Sequence, residues 1–388
     1  MKKIAYINAD IYPISSPPIR AGALLVEDNK IVGVQEGSQI LQDFEIVDLR
    51  GKTVLPGFVD EHTHIGIWSE WYGPPESDGN EGSNPITPEV SALDAIWPEH
   101  SAFEDARSGG VTTAQITPGS GNILGGEMVV AKTRGLTVDD MVIRNPSGLK
   151  AALGENPKNS YGSRKKAPVT RMGNAALLRG ALYKAREYGK KLQAGQEDPS
   201  KLPDTDLGMQ SILKVLRREI PLRIHAHRAD DIVTAVRVAE ELDIDYSIEH
   251  CTDGAAVAEF LGKRKAKVNI GPGLSSRSKV ETRSTGNKTA GILAKAGCKV
   301  SIMSDHPFLP VQFLSTAAAL ACANGMSEDD ALRAVTLTPA ETLGVSDRVG
   351  SLEAGKDADF VVWSGHPFKI RSRVLEVFIE GERVYSQE

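Results

Sequence analysis

Between residues 57 and 345, short apolar β-rich runs alternate with stretches of helical periodicity. The runs are GVTTAQI (110–116), GLKAAL (148–153), LRIHAH (222–227), DYSIEH (245–250), AKVNIG (266–271) and CKVSIMSD (298–305). Helical patterns occupy 173–189, 208–219, 229–242, 255–263, 287–296 and 311–324, and LQAGQEDPSKLPDTD (192–206) reads as a surface loop. Strand–helix alternation on this scale requires a parallel sheet with crossover helices, either doubly wound or closed into a barrel. The ends of the chain read differently. Residues 1–55 and the stretch after about 345 are short strands and turns, with hairpin turns at DNK (28–30) and EGER (380–383). One small β-domain assembled from both termini is therefore expected.

With 388 residues, 40% of them hydrophobic, the chain can bury a large core. A net charge of −6 disfavours nucleic acid or an anionic membrane as partner. No run reaches the roughly 18 apolar residues of a membrane span. Cys251, Cys298 and Cys322 have no CxxC spacing and suit reduced core thiols, so a soluble, cytoplasmic protein is expected, with a homo-oligomer left open.

The polar residues sit in a pattern. TVLPGFVD leads into His62 and His64, which share a face because strand side chains alternate. His225 closes the run LRIH, His250 closes SIEH, and Asp305 ends KVSIMSD. In a parallel barrel the C-terminal strand ends form the active-site rim. Four imidazoles and a carboxylate gathered there suit a divalent transition metal, and zinc fits that donor set.

This constellation resembles the amidohydrolase superfamily along essentially the whole chain. The carrying motifs are LPGFVDEHTH, the later His225, His250 and Asp305, and the tail LTPAETLGVSDRVGSLEAGKDADFVVW. PGSGN (118–122), GENPKNSYG (154–162), TRMG (170–173), HAHR (225–228) and SDHP (304–307) look most like an uncharacterised branch of the imidazolonepropionase-related members. The resemblance implies a TIM (β/α)8 barrel over 57–345 and a composite β-sandwich from 1–56 and 346–388. It also implies a metal-dependent hydrolase of C–N bonds, with one or two ions held by His62, His64, His225, His250 and Asp305. Where two metals bind, relatives bridge them with a glutamate or a carboxylated lysine. Glu155 is the preferred bridge here, and Lys150, placed like the carboxylated lysine of prolidase-like relatives, is the alternative.

Asp305 is expected to take a proton from the attacking water and return it to the leaving amine. Related deaminases and imidazolonepropionase carry a proton-shuttling glutamate after the fifth-strand histidine. This chain has His227-Arg228, which argues against cyclic deamination and imidazolone opening. Tyr161, Arg164, Arg171, Arg228 and His306 are candidates for holding substrate, the arginines through a substrate carboxylate. His227 is expected to support the site from outside the ligand set. A dipeptidase or carboxypeptidase-like (prolidase-type) activity is the nearest alternative. A cyclic-amidine deaminase and an inactive metal-binding scaffold are the remaining ones.

Overall fold

Five strands precede residue 57: β1 (Lys3–Ile11), β2 (Ile19–Glu27), β3 (Lys30–Glu36), β4 (Glu45–Asp48) and β5 (Thr53–Pro56). The computed structural model describes residues 2–37, 43–69 and 77–387. Eight central strands follow: β6 (Phe58–Thr63), β7 (Val111–Ile116), β8 (Leu124–Lys132), β9 (Val142–Ala152), β10 (Leu222–Ala226), β11 (Tyr246–His250), β12 (Lys267–Ile270) and β13 (Lys299–Ile302). The chain closes with β14 (Phe360–Trp363), β15 (Val374–Ile379) and β16 (Glu382–Ser386).

The two ends of the chain form a single eight-stranded sheet of order β16-β15-β14-β5-β1-β2-β3, with β4 beside β1. Its seam is the antiparallel pair β5–β14, where Val54 lies opposite Val362. Ile4, Tyr6, Ile11, Leu24, Phe360 and Phe378 pack into one apolar cluster on it, with the Phe360 and Phe378 rings stacked at 4.3 Å. Each such aromatic contributes roughly 1.5–3 kcal/mol by burial, so the N- and C-terminal segments stabilise one another.

The central strands form the second sheet, in chain order from β6 to β13. The sheet is nearly closed: Asp305 N donates to His62 O at 3.1 Å and His64 N to His306 O at 3.0 Å, joining the chain beyond β13 to the end of β6. This is the mixed α/β, TIM-like barrel anticipated from the alternation, with one departure. β8 runs antiparallel to both β7 and β9. Only residues 117–123 connect β7 to β8, and a parallel crossover needs a dozen or more, so the connection must reverse the chain. The helix anticipated over 173–189 extends as Arg171–Glu197, consuming part of the expected loop at 192–206.

Candidate metal centre

The barrel brings the strand-end residues together. His62 lies within β6 and His64 just beyond it, His225 is next to last in β10, His250 ends β11, and Asp305 follows β13 by three residues. All five are buried. The ligating atoms of His62, His64 and Asp305 lie within 4.8 Å of one another, and so do those of His225, His227 and His250. Asp305 Oδ1 is 3.5 Å from His62 Nε2 and 3.4 Å from His64 Nε2. The two triads adjoin, with the His62 and His250 rings 5.4 Å apart. His250 and Asp305 both have positive φ, 69° and 54°, a conformation that costs a non-glycine residue on the order of 1–3 kcal/mol and concentrates at functional sites.

The far nitrogen of each imidazole shows which atom faces inward. His64 Nδ1 donates to Thr117 O at 2.6 Å and His250 Nδ1 to Gly271 O at 2.9 Å. A carbonyl only accepts, so these rings carry the proton on Nδ1 and turn the Nε2 lone pair to the centre. His62 Nδ1 is held at 2.9 Å by Glu249 Oε2. Glu249 is itself pinned by Arg223 at 3.1 Å, Ser247 at 2.5 Å and Asn269 at 3.0 Å, and Arg223 reaches Glu61 at 2.6 Å. A carboxylate behind a ligating histidine fixes its tautomer and orientation. His225 Nδ1 is buried and has no hydrogen-bond partner among the described residues, an unmet valence that a metal ion would fill.

Electrostatics favour neutral ligands. Burial pushes His62 down to about 4, with the Lys150 ammonium adding to the shift. Burial likewise holds His225, His227 and His250 well below the usual imidazole range. Burial would raise Glu249, but Arg223 and the bond to His62 outweigh it and keep the carboxylate ionised. Neutral imidazoles and an ionised carboxylate are the forms a divalent cation binds.

Lys150 and Glu155 end up in different places. Lys150 is fully buried in β9, and its Nζ lies 3.2 Å from His62 Nε2. Its charge also acts on His225 and His250, and burial pushes the amine down to about 8. Glu155, the bridge preferred from the sequence, faces away from this cluster. Gly154, at φ 89°, turns the chain after the strand, so Glu155 begins the helix Glu155–Gly162. Its backbone N donates to Glu281 Oε2 at 2.8 Å and its Oε2 accepts from Glu281 N at 3.2 Å. Of the two, it is Lys150 that lies beside a strand-end histidine.

The expected substrate contacts also move. Tyr161 is buried, with its hydroxyl within hydrogen-bond distance of Asn84 O and Asn122 Oδ1. Arg164 is bound to Gly82 O, Arg171 to Asp231 and Glu281, and Arg228 to Asp230 through Nε and Nη2. None of these four lines the cavity of about 980 Å³ over the centre. His306 is buried in the closure of the barrel, where its Nδ1 accepts from Val311 N, and is also absent from the cavity wall. The loops that follow β7 and β12 contribute Ser120, Gly121 and Pro272 to its wall. His227, expected outside the ligand set, joins His225 and His250. Its signal was in the sequence: His225-Ala-His227 repeats the two-residue spacing of His62 and His64. Lys279, also on the wall, carried no such signal.

A family model described as the amidohydrolase family matches residues 205–385. The solved structure of an amidohydrolase from Thermotoga maritima MSB8 is 44% identical, with a TM-score of 0.95, covering 99% of this chain and all of that one. The chain belongs to the amidohydrolase family. Amidohydrolase tasK of Hapsidospora irregularis is 29% identical over 93% of this chain, which spans 39% of the length of tasK. The imidazolonepropionase of Symbiobacterium thermophilum (strain DSM 24528 / JCM 14929 / IAM 14863 / T) is 25% identical over 89% of this amidohydrolase and 84% of its own length. No helix among the described residues is long and apolar enough to cross a membrane.

Proposed function

We propose that this amidohydrolase is a metal-dependent hydrolase that cleaves an amide or related C–N bond of a small substrate. The observation that carries the reading is the adjoining pair of triads at the barrel rim, opening into one cavity. His62, His64, His225, His250 and Asp305 would hold divalent metal, with zinc the best match to imidazole and carboxylate donors. Lys150, carboxylated on its buried amine, would stand between the two halves, and its depressed basicity supports that chemistry because only the neutral amine takes up carbon dioxide. When bound, such an ion acidifies water and polarises a carbonyl.

The chain's own residues do the rest. Glu249 fixes the His62 ring, and the carbonyls of Thr117 and Gly271 fix His64 and His250. Asp305 Oδ1, close to His62 and His64, accepts a proton from the attacking water and returns it to the departing nitrogen. Arg228 stands where related deaminases carry their shuttling glutamate, and it is committed to Asp230 on the surface, which supports hydrolysis over deamination. The test is Asp305→Asn in zinc- or manganese-loaded enzyme, against N-acyl amino acids, dipeptides, lactams and hydantoin-like rings. Turnover should fall by roughly 10²–10⁴-fold with most metal retained. Equal turnover in the two proteins would remove Asp305 from this role.

A further inference from the structure

Among the described residues lining the cavity, Lys279 is the one lysine or arginine. We propose that Lys279 is the anion anchor of the site and selects substrates that carry a carboxylate close to the C–N bond to be cleaved. The inference rests on the hydrolase reading above and adds to it the class of substrate.

Three observations carry it. First, Lys279 is close to the centre: its Nζ is 3.5 Å from His227 Nε2, and His227 shares a triad with His225 and His250. An anion on this ammonium would sit beside the reacting bond, as the carboxylate of an N-acyl amino acid or a dipeptide does. Second, the ammonium is held in place. Asn156 Oδ1 accepts from it at 2.9 Å, while Asn156 Nδ2 touches both Ser120 Oγ at 3.1 Å and His225 Nε2 at 3.4 Å. Third, the ammonium keeps donor capacity despite its ion pair with Glu281. Glu281 Oε1 lies 3.6 Å away, but the other oxygen of that carboxylate is engaged by Arg171 and by the backbone N–H of Glu155. An ammonium has three hydrogens to donate, and Asn156 takes one at good length. Ser276 and Ser278 line the same cavity and offer hydroxyls to the second carboxylate oxygen. The arginines expected from the sequence to do this work are all paired elsewhere.

The experiment uses matched probes: N-acetyl amino acids and glycyl dipeptides, each as the free acid and as the C-terminal amide. Equilibrium binding by calorimetry and kcat/KM are both measured on metal-loaded wild type, Lys279→Met and Lys279→Arg. A charge-assisted hydrogen bond corresponds to about a 10- to 100-fold effect. At least one free acid should bind wild type more tightly than its amide by that factor. Lys279→Met should abolish the difference by weakening the acid alone, and Lys279→Arg should restore part of it. Equal binding of every acid and its amide by wild type, or a preference that survives in Lys279→Met, overturns the proposal. Lysine-dependent binding of the acids without turnover of any probe would uphold the anchor and count against the hydrolase reading instead.

Discussion

At the scale of single residues, the centre is built by giving each imidazole a defined far-side partner in a dry environment. His62 is the clearest case, fully buried between Glu249 and Lys150. Burial lowers its folded-state pKa to about 4, below the 6.5 of an unfolded imidazole. The unfolded chain therefore takes up the proton first as the pH drops. This group withdraws stability between about pH 6.5 and pH 4, on the order of 3 kcal/mol in all, and withdraws none above that window. In metal-free protein, ring resonances of His62 followed by NMR should titrate near pH 4. A midpoint near 6.5 would mean the ring is exposed to water and not buried in the barrel. His62 and His64 were legible from the sequence because strand alternation alone aligns them. Glu249 was not, since only the closed barrel carries its carboxylate to a histidine 187 residues away.

At the scale of elements, the turn out of β9 decides which side chain reaches the centre. Gly154 has φ 89° and ψ −150°, a region open essentially to glycine, and a Cβ there would lie 2.7 Å from Glu281 Oε2. Gly154→Ala is expected to destabilise the protein by roughly 1–3 kcal/mol and to loosen the reciprocal Glu155–Glu281 pair. Denaturant unfolding measures the loss, and an unchanged midpoint would contradict this account of the turn. The same turn explains why Glu155 pairs with Glu281: a sequence shows that a strand ends nearby, but not that the next residue begins a helix. Lys150, deeper in the strand, reaches the ligands because its side chain is long and points into the barrel. β8 was missed for a related reason. Gly125, Gly126 and Glu127 interrupt its apolar pattern, and its antiparallel pairing breaks the strand–helix rhythm that revealed the other strands. The rhythm of 222–305 was plain because each strand there is short, apolar and followed by helical sequence before the next.

At the scale of the whole molecule, the terminal sheet is tied to the barrel by buried charge. Lys132, the last residue of β8, reaches Asp357 at 3.0 Å and Asp359 at 2.5 Å, and all three are almost fully buried. Arg348 and Lys30 add two further cations at Asp357, 2.8 and 2.7 Å away. Among the described residues Lys132 is the one cation beside Asp359, so its removal leaves that carboxylate buried and unpaired, and Lys132→Met should destabilise the protein by roughly 3–5 kcal/mol. Thermal unfolding of the variant checks this, and a change below about 1 kcal/mol would indicate that water already reaches the cluster. The β character of both chain ends was readable from turns and alternation, and their pairing follows from it. The ion cluster was not, because Lys132 and Asp357 are 225 residues apart in the chain.

On the function proposed above, Lys150 holds divalent metal together with the strand-end histidines and Asp305. Elemental analysis of protein loaded with zinc in the presence of bicarbonate tests it directly, comparing wild type, Lys150→Met and Glu155→Gln. Roughly two ions per chain are expected in wild type and in Glu155→Gln, falling to about one or fewer in Lys150→Met. No metal in wild type, or metal lost from Glu155→Gln and kept by Lys150→Met, would contradict it.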